Sequence, residues 1–257
     1  MGAGAADVVP ILLSSWPSAA TQTEVMSRDF YTLEELARQL GQDRRVVEKQ
    51  VSRGHIPGRR VGGEWRFNKT EISDWLEHQI QSLSEPDLAN LERSQKSPEV
   101  SERSPVGNLL HPDLVQVPLN GRTRVSVLRE LVEIAGRTWQ VFDAAAILEA
   151  VRQREEVSST AFPGGVAIPH PQNRMPDAIG EPLIVFGKSL RGIPFGSQEM
   201  TDMFFLVLAR DPNTHLKVLA RLSRLFQTED FLDDLRDTND SEAAHDFIIE
   251  ADAKLDG

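Results

Sequence analysis

At 257 residues the chain is long enough for two small domains that each bury a core, and a hydrophobic share of 40% leaves room for linker or tail. With 39 acidic against 28 basic residues the net charge is −11, which argues against a protein that coats nucleic acid along its whole length. The absence of cysteine excludes disulfides, thiolate metal sites and a cysteine nucleophile, and no apolar run approaches the roughly 18 to 20 residues of a membrane helix.

Residues 1–27 are small, polar and aperiodic, and read as a disordered extension. The run Val8-Val9-Pro10-Ile11-Leu12-Leu13 has no Lys or Arg before Arg28 and carries Asp7 nearby, unlike a secretory signal. Met26 is a candidate start. A cytoplasmic location and no membrane insertion are the expectation.

From Arg28 a regular pattern begins, and residues 28–83 read as one module. Thr32 is placed to cap a helix with Leu33, Leu36, Ala37 and Leu40 inward, and Glu35 completes a capping box. Gly41 ends that helix, Asp43 caps a second over Arg44 to Arg53 with Val46, Val47 and Val51 inward, and Gly54 stops it. Two short helices around a glycine turn make a helix-turn-helix, with Arg44, Arg45, Lys49, Ser52 and Arg53 left for the open face of the second. Gly62-Gly63 supplies the positive φ angles of a hairpin turn. Asn68 starts a last helix to about Gln79, with Ile72, Trp75 and Leu76 inward. Between Arg44 and Lys69 eight Lys or Arg face two Glu, a local +6 that suits a phosphate backbone; Arg60 and Arg66 belong to this set.

Tyr31-Thr32-Leu33-Glu34-Glu35-Leu36-Ala37, Arg53-Gly54-His55-Ile56-Pro57, Arg60-Val61-Gly62, Trp65-Arg66-Phe67 and Ile72 with Trp75-Leu76 resemble an excisionase-type winged helix-turn-helix, related to MerR regulators. The resemblance implies DNA binding. Glu48 on the reading face opposes phosphate, and one module of this size calls for a homodimer or neighbouring sites.

Residues 84–106 are rich in Ser, Pro and charge, and read as a solvated linker. In the second region, 107–257, Val125 to Gly136 and Phe142 to Arg154 read as helices, and Leu183 to Gly187 and Met203 to Leu208 as buried strands. His215 to Phe226 and Glu229 to Leu235 follow as helices, and Ser241 caps a last one. Helices interleaved with buried strands define an α/β domain.

Of six histidines, His55, His78, His111 and His245 sit on polar faces or in turns. His170 closes the apolar run Val166-Ala167-Ile168 behind Pro169, which favours a strand end, where one ring nitrogen can face outward. His215 opens a helix whose positive end suits an anion. Spacing alone does not place the two side by side. Two histidines without a third ligand, and no H-E-x-x-H spacing, argue against zinc.

Ser159-Thr160, Gly165-Val166-Ala167-Ile168-Pro169-His170 and His215-Leu216 with Leu219 resemble the mannitol/fructose-type enzyme IIA domains of the sugar phosphotransferase system, including the nitrogen-regulatory members. The resemblance implies a mixed sheet flanked by helices, phosphorylation of His170, and His215 and Arg154 around the phosphoryl group. Ser159 and Thr160 are candidates to add hydroxyl donors to the phosphate. The family's glycine after the active histidine is Pro171 here, which removes one backbone N–H. The donor implied is the histidine phosphocarrier protein, and no metal or other cofactor is needed. A G-x-x-x-x-G-K-[ST] loop is missing, which argues against ATP as direct donor. Three functions follow: a regulator coupling phosphorylation of His170 to DNA binding, a soluble phosphohistidine phosphotransferase passing phosphate to a IIB partner in sugar uptake, or a degenerate domain that only binds a partner. The basic module favours the first.

Overall fold

The computed structural model describes residues 29–256, so the extension expected over 1–27 lies outside the described residues. Thr32 and Glu35 form the expected capping box, with the Thr32 amide donating to Glu35 Oε2 at 2.8 Å and the Glu35 amide to Thr32 Oγ1 at 3.2 Å. It starts α1 (Leu33–Leu40), which Gly41 ends in the left-handed conformation. Asp43 caps α2 (Arg44–Ser52), and β2 (Arg59–Val61) turns at Gly62 and Gly63, φ 61° and 86°, into β3 (Glu64–Asn68). A short strand that the pattern did not reveal, β1 (Phe30–Tyr31), pairs with the far side of β3. Asn68 then caps α3 (Lys69–Gln79). Val46 is 47% exposed rather than inward, because Val47 and Val51 alone fill the seam against α1. Trp75 is only half-buried, at the rim of that core.

The segment expected to be a solvated linker, 84–106, is exposed only in part. Glu85–Ser94 is a helix, α4, capped by Ser84, and it lies along a helix of the C-terminal half with Leu88 and Leu91 buried. Val100 and Val106 are buried behind it. Two leucines three apart give one narrow apolar stripe, enough for a helix that packs on one side only. The low average hydrophobicity of the segment hid that stripe.

The C-terminal half is built on a mixed five-stranded sheet in the order β4-β7-β8-β6-β5: β4 (Val115–Leu119), β5 (Ala161–Phe162), β6 (Val166–Ala167), β7 (Leu183–Pro194) and β8 (Met200–Leu208). The central pair β7 and β8 is antiparallel, while β4–β7 and β6–β8 are parallel. Along β8, Met203, Phe205 and Val207 enter one core and Phe204, Leu206 and Leu208 the other, the two-residue period of a strand covered on both faces. Helices α5 (Arg124–Ala135) and α6 (Ala144–Val157) cover one face; α7 (Pro212–Gln227), α8 (Phe231–Asp237) and α9 (Ser241–Lys254) cover the other. Phe142, expected to open α6, is 66% exposed ahead of it, since Asp143 supplies the cap. Asp240, not Ser241, caps α9, leaving the Ser241 hydroxyl to accept from the Val117 amide. Glu229 precedes α8, which begins at Phe231.

The core on the α7 side continues through Leu88 and Leu91 into Leu36, Val47, Phe67 and Ile72 of the N-terminal module. Polar contacts follow the same seam: Gln39 donates to Asn213 Oδ1 at 3.0 Å, and Gln81 to the Ala161 carbonyl at 3.1 Å. The most buried of them is Arg221 on α7, fully buried, which reaches Asp252 Oδ1 at 2.6 Å, Asp256 Oδ1 at 2.8 Å and Glu92 Oε1 of α4 at 3.2 Å.

Candidate functional site

His170 is the third residue after β6, and its ring is fixed by the backbone. Nδ1 lies 2.7 Å from the Ile168 carbonyl, which can only accept, so Nδ1 carries the proton and Nε2 presents its lone pair. The Pro169 carbonyl accepts from the Val207 amide at 2.9 Å, which ties the strand exit to β8. On the facing helix His215 is the fourth residue of α7, not the first as expected, because Asp211 caps the helix and Pro212 opens it. The sheet and α7 bring the two rings to a centroid distance of 4.8 Å at 61°. What spacing left open is therefore an adjacent pair.

Arg154, in the last turn of α6, donates to the Ser158 carbonyl at 2.8 Å and turns its Nε toward the same point. Two further groups were not foreseen. Arg174, from the loop after His170, and Glu77, from α3 of the N-terminal module, complete the cluster. Glu77 Oε2 is 3.2 Å from His170 Nε2 and 3.8 Å from Arg154 Nε; Oε1 is 2.7 Å from Arg174 Nη2 and 2.9 Å from His215 Nε2. The last approach is off the hydrogen-bonding direction, so both His215 ring nitrogens are buried without a hydrogen-bond partner, as is Arg174 Nη1.

Burial would raise the Glu77 carboxyl, but His215 and the hydrogen bond to His170 outweigh it and hold the group far below the usual carboxylate range. The histidines move the same way: burial lowers His170, and burial with the Arg174 charge pulls His215 down to about 3. These two accounts pull against each other, since a neutral His170 with its proton on Nδ1 supplies neither the charge nor the Nε2 hydrogen bond that lowers Glu77, and a neutral His215 supplies no charge. The geometry decides for an ionised Glu77 beside neutral histidines near pH 7, because Arg174 at 2.7 Å and Arg154 at 3.8 Å supply fixed positive charge.

Ser159 and Thr160 line a cleft of about 160 Å³ beside His170, with Arg154, Glu77 and Gln81. Their hydroxyls are engaged elsewhere: Ser159 donates to the Phe195 carbonyl at 2.6 Å and Thr160 to Glu155 Oε2 at 2.6 Å. Either must turn to serve a phosphate. Pro171 is buried directly after His170.

The sequence lacked a third metal ligand; the fold supplies one, since Glu77, His170 and His215 each offer an atom within 4.8 Å of the others. Arg154 and Arg174 nevertheless place fixed positive charge against that point, which suits an anion better than a cation.

The expected DNA-contacting residues lie at the other end of the module. Arg44, Arg45, Lys49, Ser52 and Arg53 are exposed along α2, and Arg60 is exposed on β2 with its guanidinium 5.0 Å from the Trp65 ring centre. Arg66 is half-buried and paired with Glu64 at 2.8 Å, Arg44 is 3.4 Å from Glu34, and the Ser52 hydroxyl donates to the Glu48 carbonyl.

Two histidines and two guanidiniums gather at a strand exit of a mixed sheet, around a point where positive charge suits an anion. The family described as phosphoenolpyruvate-dependent sugar phosphotransferase system, EIIA 2, matches residues 108–251, and the chain belongs to it. A helix-turn-helix domain matches residues 30–80. A nitrogen regulatory protein of Bradyrhizobium diazoefficiens is 32% identical over 149 residues, 56% of this chain and 94% of that protein. The fructose-specific EIIABC component of Bacillus subtilis is 28% identical over 151 residues, 57% of this chain but 23% of its own length. Among solved structures, the nitrogen regulatory protein IIA-Ntr of Neisseria meningitidis shares the fold, with a TM-score of 0.51, 20% identity, and coverage of 56% of this chain and 98% of that one. Among the described residues no helix is long and apolar enough to cross a membrane.

Proposed function

We propose that the chain is a regulatory phosphoryl acceptor, in which His170 takes a phosphoryl group from a histidine phosphocarrier protein and its state is coupled to DNA binding by the N-terminal module. The reading rests above all on one observation: the Ile168 carbonyl holds the His170 ring with Nε2 against Glu77 Oε2, the carboxylate around which His215, Arg154 and Arg174 also gather. Positioning and charge stabilisation are what phosphoryl transfer asks of a protein. The Nε2 lone pair forms the new N–P bond as the carrier's N–P bond breaks, and that electron pair returns to the carrier's imidazole. The guanidiniums and His215 face the oxygens on which charge gathers.

Full-length protein is incubated with phosphorylated phosphocarrier, and label is located by mass spectrometry. Wild type gains one phosphoryl group on His170 and His170→Ala gains none; an unlabelled wild type ends the proposal. Gel shifts at several salt concentrations then compare phosphorylated and unphosphorylated chains, with Arg44→Ala/Arg45→Ala as the control for the α2 face. That double substitution weakens binding and lowers the salt slope by about two, one per phosphate contact. Equal binding by all three forms breaks the coupling.

A further inference from the structure

The carboxylate in the acceptor pocket belongs to the other half of the molecule. Glu77 lies on α3, 93 positions before His170, and its side chain is 3% exposed. A buried carboxylate costs several kcal/mol in lost hydration unless it is paired, by order of magnitude. Each ionisable group that faces Glu77 across the seam comes from the C-terminal half: His170, His215, Arg154 and Arg174. On its own helix Glu77 adjoins His78 and acts on Asp74, whose carboxyl is raised by burial and by Glu77.

We propose that Glu77 is an intramolecular stand-in for the phosphoryl group, which closes the acceptor site while the module is docked and is expelled when His170 is phosphorylated. This rests on His170 being the acceptor. The carboxylate shares the phosphoryl group's acceptor chemistry, anionic oxygens that bond a guanidinium and lie against the imidazole nitrogen, although it is planar and the phosphoryl group is tetrahedral. A distance of 3.2 Å between Oε2 and Nε2 leaves no space for a phosphorus and its oxygens between them. The docked pair is also unfavourable for a neutral ring, since Nδ1 keeps the proton on Ile168 and the Nε2 lone pair then meets a carboxylate oxygen. Carboxylate and phosphoryl group thus exclude each other in space and compete for the same guanidiniums. Phosphorylation brings roughly −1.5 to −2 charge against the Glu77 carboxylate, which repels it and contests the same two guanidiniums, and so favours release of α3. The basic face of α2 is exposed in the docked state, so the switch changes how the module is held and does not mask that face.

The incoming donor needs the same volume, and His170 is 4% exposed, so it reacts only with the open form. If that form is about 0.1–10% populated, removing the Glu77 charge speeds phosphorylation by about 10- to 1,000-fold.

The experiment compares wild type, Glu77→Gln and Glu77→Ala as full chains. One arm measures initial rates of His170 labelling by phosphorylated phosphocarrier. A second arm, free of any donor, measures carbethoxylation of His170 by diethyl pyrocarbonate relative to exposed His55 in the same chain. The expected result is labelling at least about tenfold faster in both variants, with His170 protected in wild type and reactive in the variants. Amide exchange in 69–79 rises when wild type is phosphorylated. Equal labelling rates, or wild-type His170 as reactive as His55, overturns the inference and leaves the acceptor reading standing. If no form accepts label the acceptor reading falls, and the switch with it; carbethoxylation then still shows whether Glu77 covers Nε2. Glu77→Gln keeps the side-chain shape, so a fault confined to Glu77→Ala is read as misfolding.

Discussion

Two buried ion clusters join the halves of this protein, and they are finished to different degrees. In the first, Arg221 meets Asp252, Asp256 and Glu92, while Asp252 also accepts from the Gly107 amide and Glu92 also holds Arg224. In the second, Glu77 meets Arg174, Arg154 and two histidines, yet both nitrogens of His215 and one of Arg174 lack hydrogen-bond partners. A buried polar group without a partner costs about 1–3 kcal/mol, so a cluster that only glues elements together is expected to be complete. The unpartnered nitrogens beside His170 fit the proposed reading of the second cluster as an anion site. Glue and site are distinguished here by hydrogen-bond satisfaction, since both are largely buried and both pair arginines with carboxylates.

The sharpest way to break that distinction is to cut each cluster once. Arg221→Met strands Asp252 in the core, while Glu92 keeps Arg224, and lowers unfolding free energy by about 3–5 kcal/mol in a urea titration. Replacing Asp252 by Leu in the same chain recovers much of the loss, because an apolar core tolerates the pair's joint removal better than half of it. His170 labelling by folded Arg221→Met stays at the wild-type rate. Glu77→Gln behaves in the opposite way, with a small stability change and a fast label. If the two variants show the same profile, the clusters do the same job and the distinction fails.

A second test uses pH. A histidine whose folded pKa lies below its unfolded value leaves the unfolded chain as the better proton binder. His215 falls from 6.5 to about 3 on folding, so the stability tied to its neutrality is complete above pH 6.5 and is lost as pH drops toward 3. His170 is lowered by burial as well, and Glu77, held below 4.5, has the same sign at lower pH. Arg154, Arg174 and Asp74 complete the charged surroundings. Between pH 6.5 and 4.5, above the ordinary carboxylate range, wild type loses about 2 kcal/mol on this account. His215→Gln removes part of that slope in urea midpoints measured at each pH. An unchanged slope means that His215 is not the buried neutral group described.

Much of the fold was legible in the sequence because its signals are local. Thr32 with Glu35, Asp43, Asn68 and the Gly62-Gly63 turn act within a few residues of themselves, and each appears where the pattern put it. The runs at 183–187 and 203–208 stood out because strands covered on both faces are apolar at every position. Short elements such as β1 gave no such run, and α4 showed only Leu88 and Leu91 behind a Ser84 cap, in a segment whose composition is that of a tail. His170 and His215 stood out by their settings at a strand end and a helix start, Arg154 and the pairing came from resemblance, and the fold sets the two histidines ring to ring. Glu77 carried no mark at all. A carboxylate at the edge of an amphipathic helix reads as solvated until the surface it meets is known, and that surface is about a hundred residues away. Arg174 was missed for a related reason, since a loop arginine has no periodicity to give away its direction.

The smallest effect tests where the first cluster ends. Arg224 bonds Glu92 Oε2 at 2.7 Å and Glu85 Oε1 at 3.0 Å, but the Glu85 side chain is 50% exposed while that of Glu92 is 5%. Water therefore screens the Glu85 bond, and an exposed pair of this kind contributes about 0–1 kcal/mol. Glu85 also opens α4, where a negative charge near the helix N-terminus adds about 0.3–1 kcal/mol at low salt. Both terms are screened by salt. Glu85→Gln is thus expected to cost no more than about 1 kcal/mol in urea unfolding, and to cost less still at high ionic strength. A loss as large as that of Arg221→Met, or one indifferent to salt, would place Glu85 inside the buried cluster, and solvent exposure would then be the wrong boundary between glue and rim.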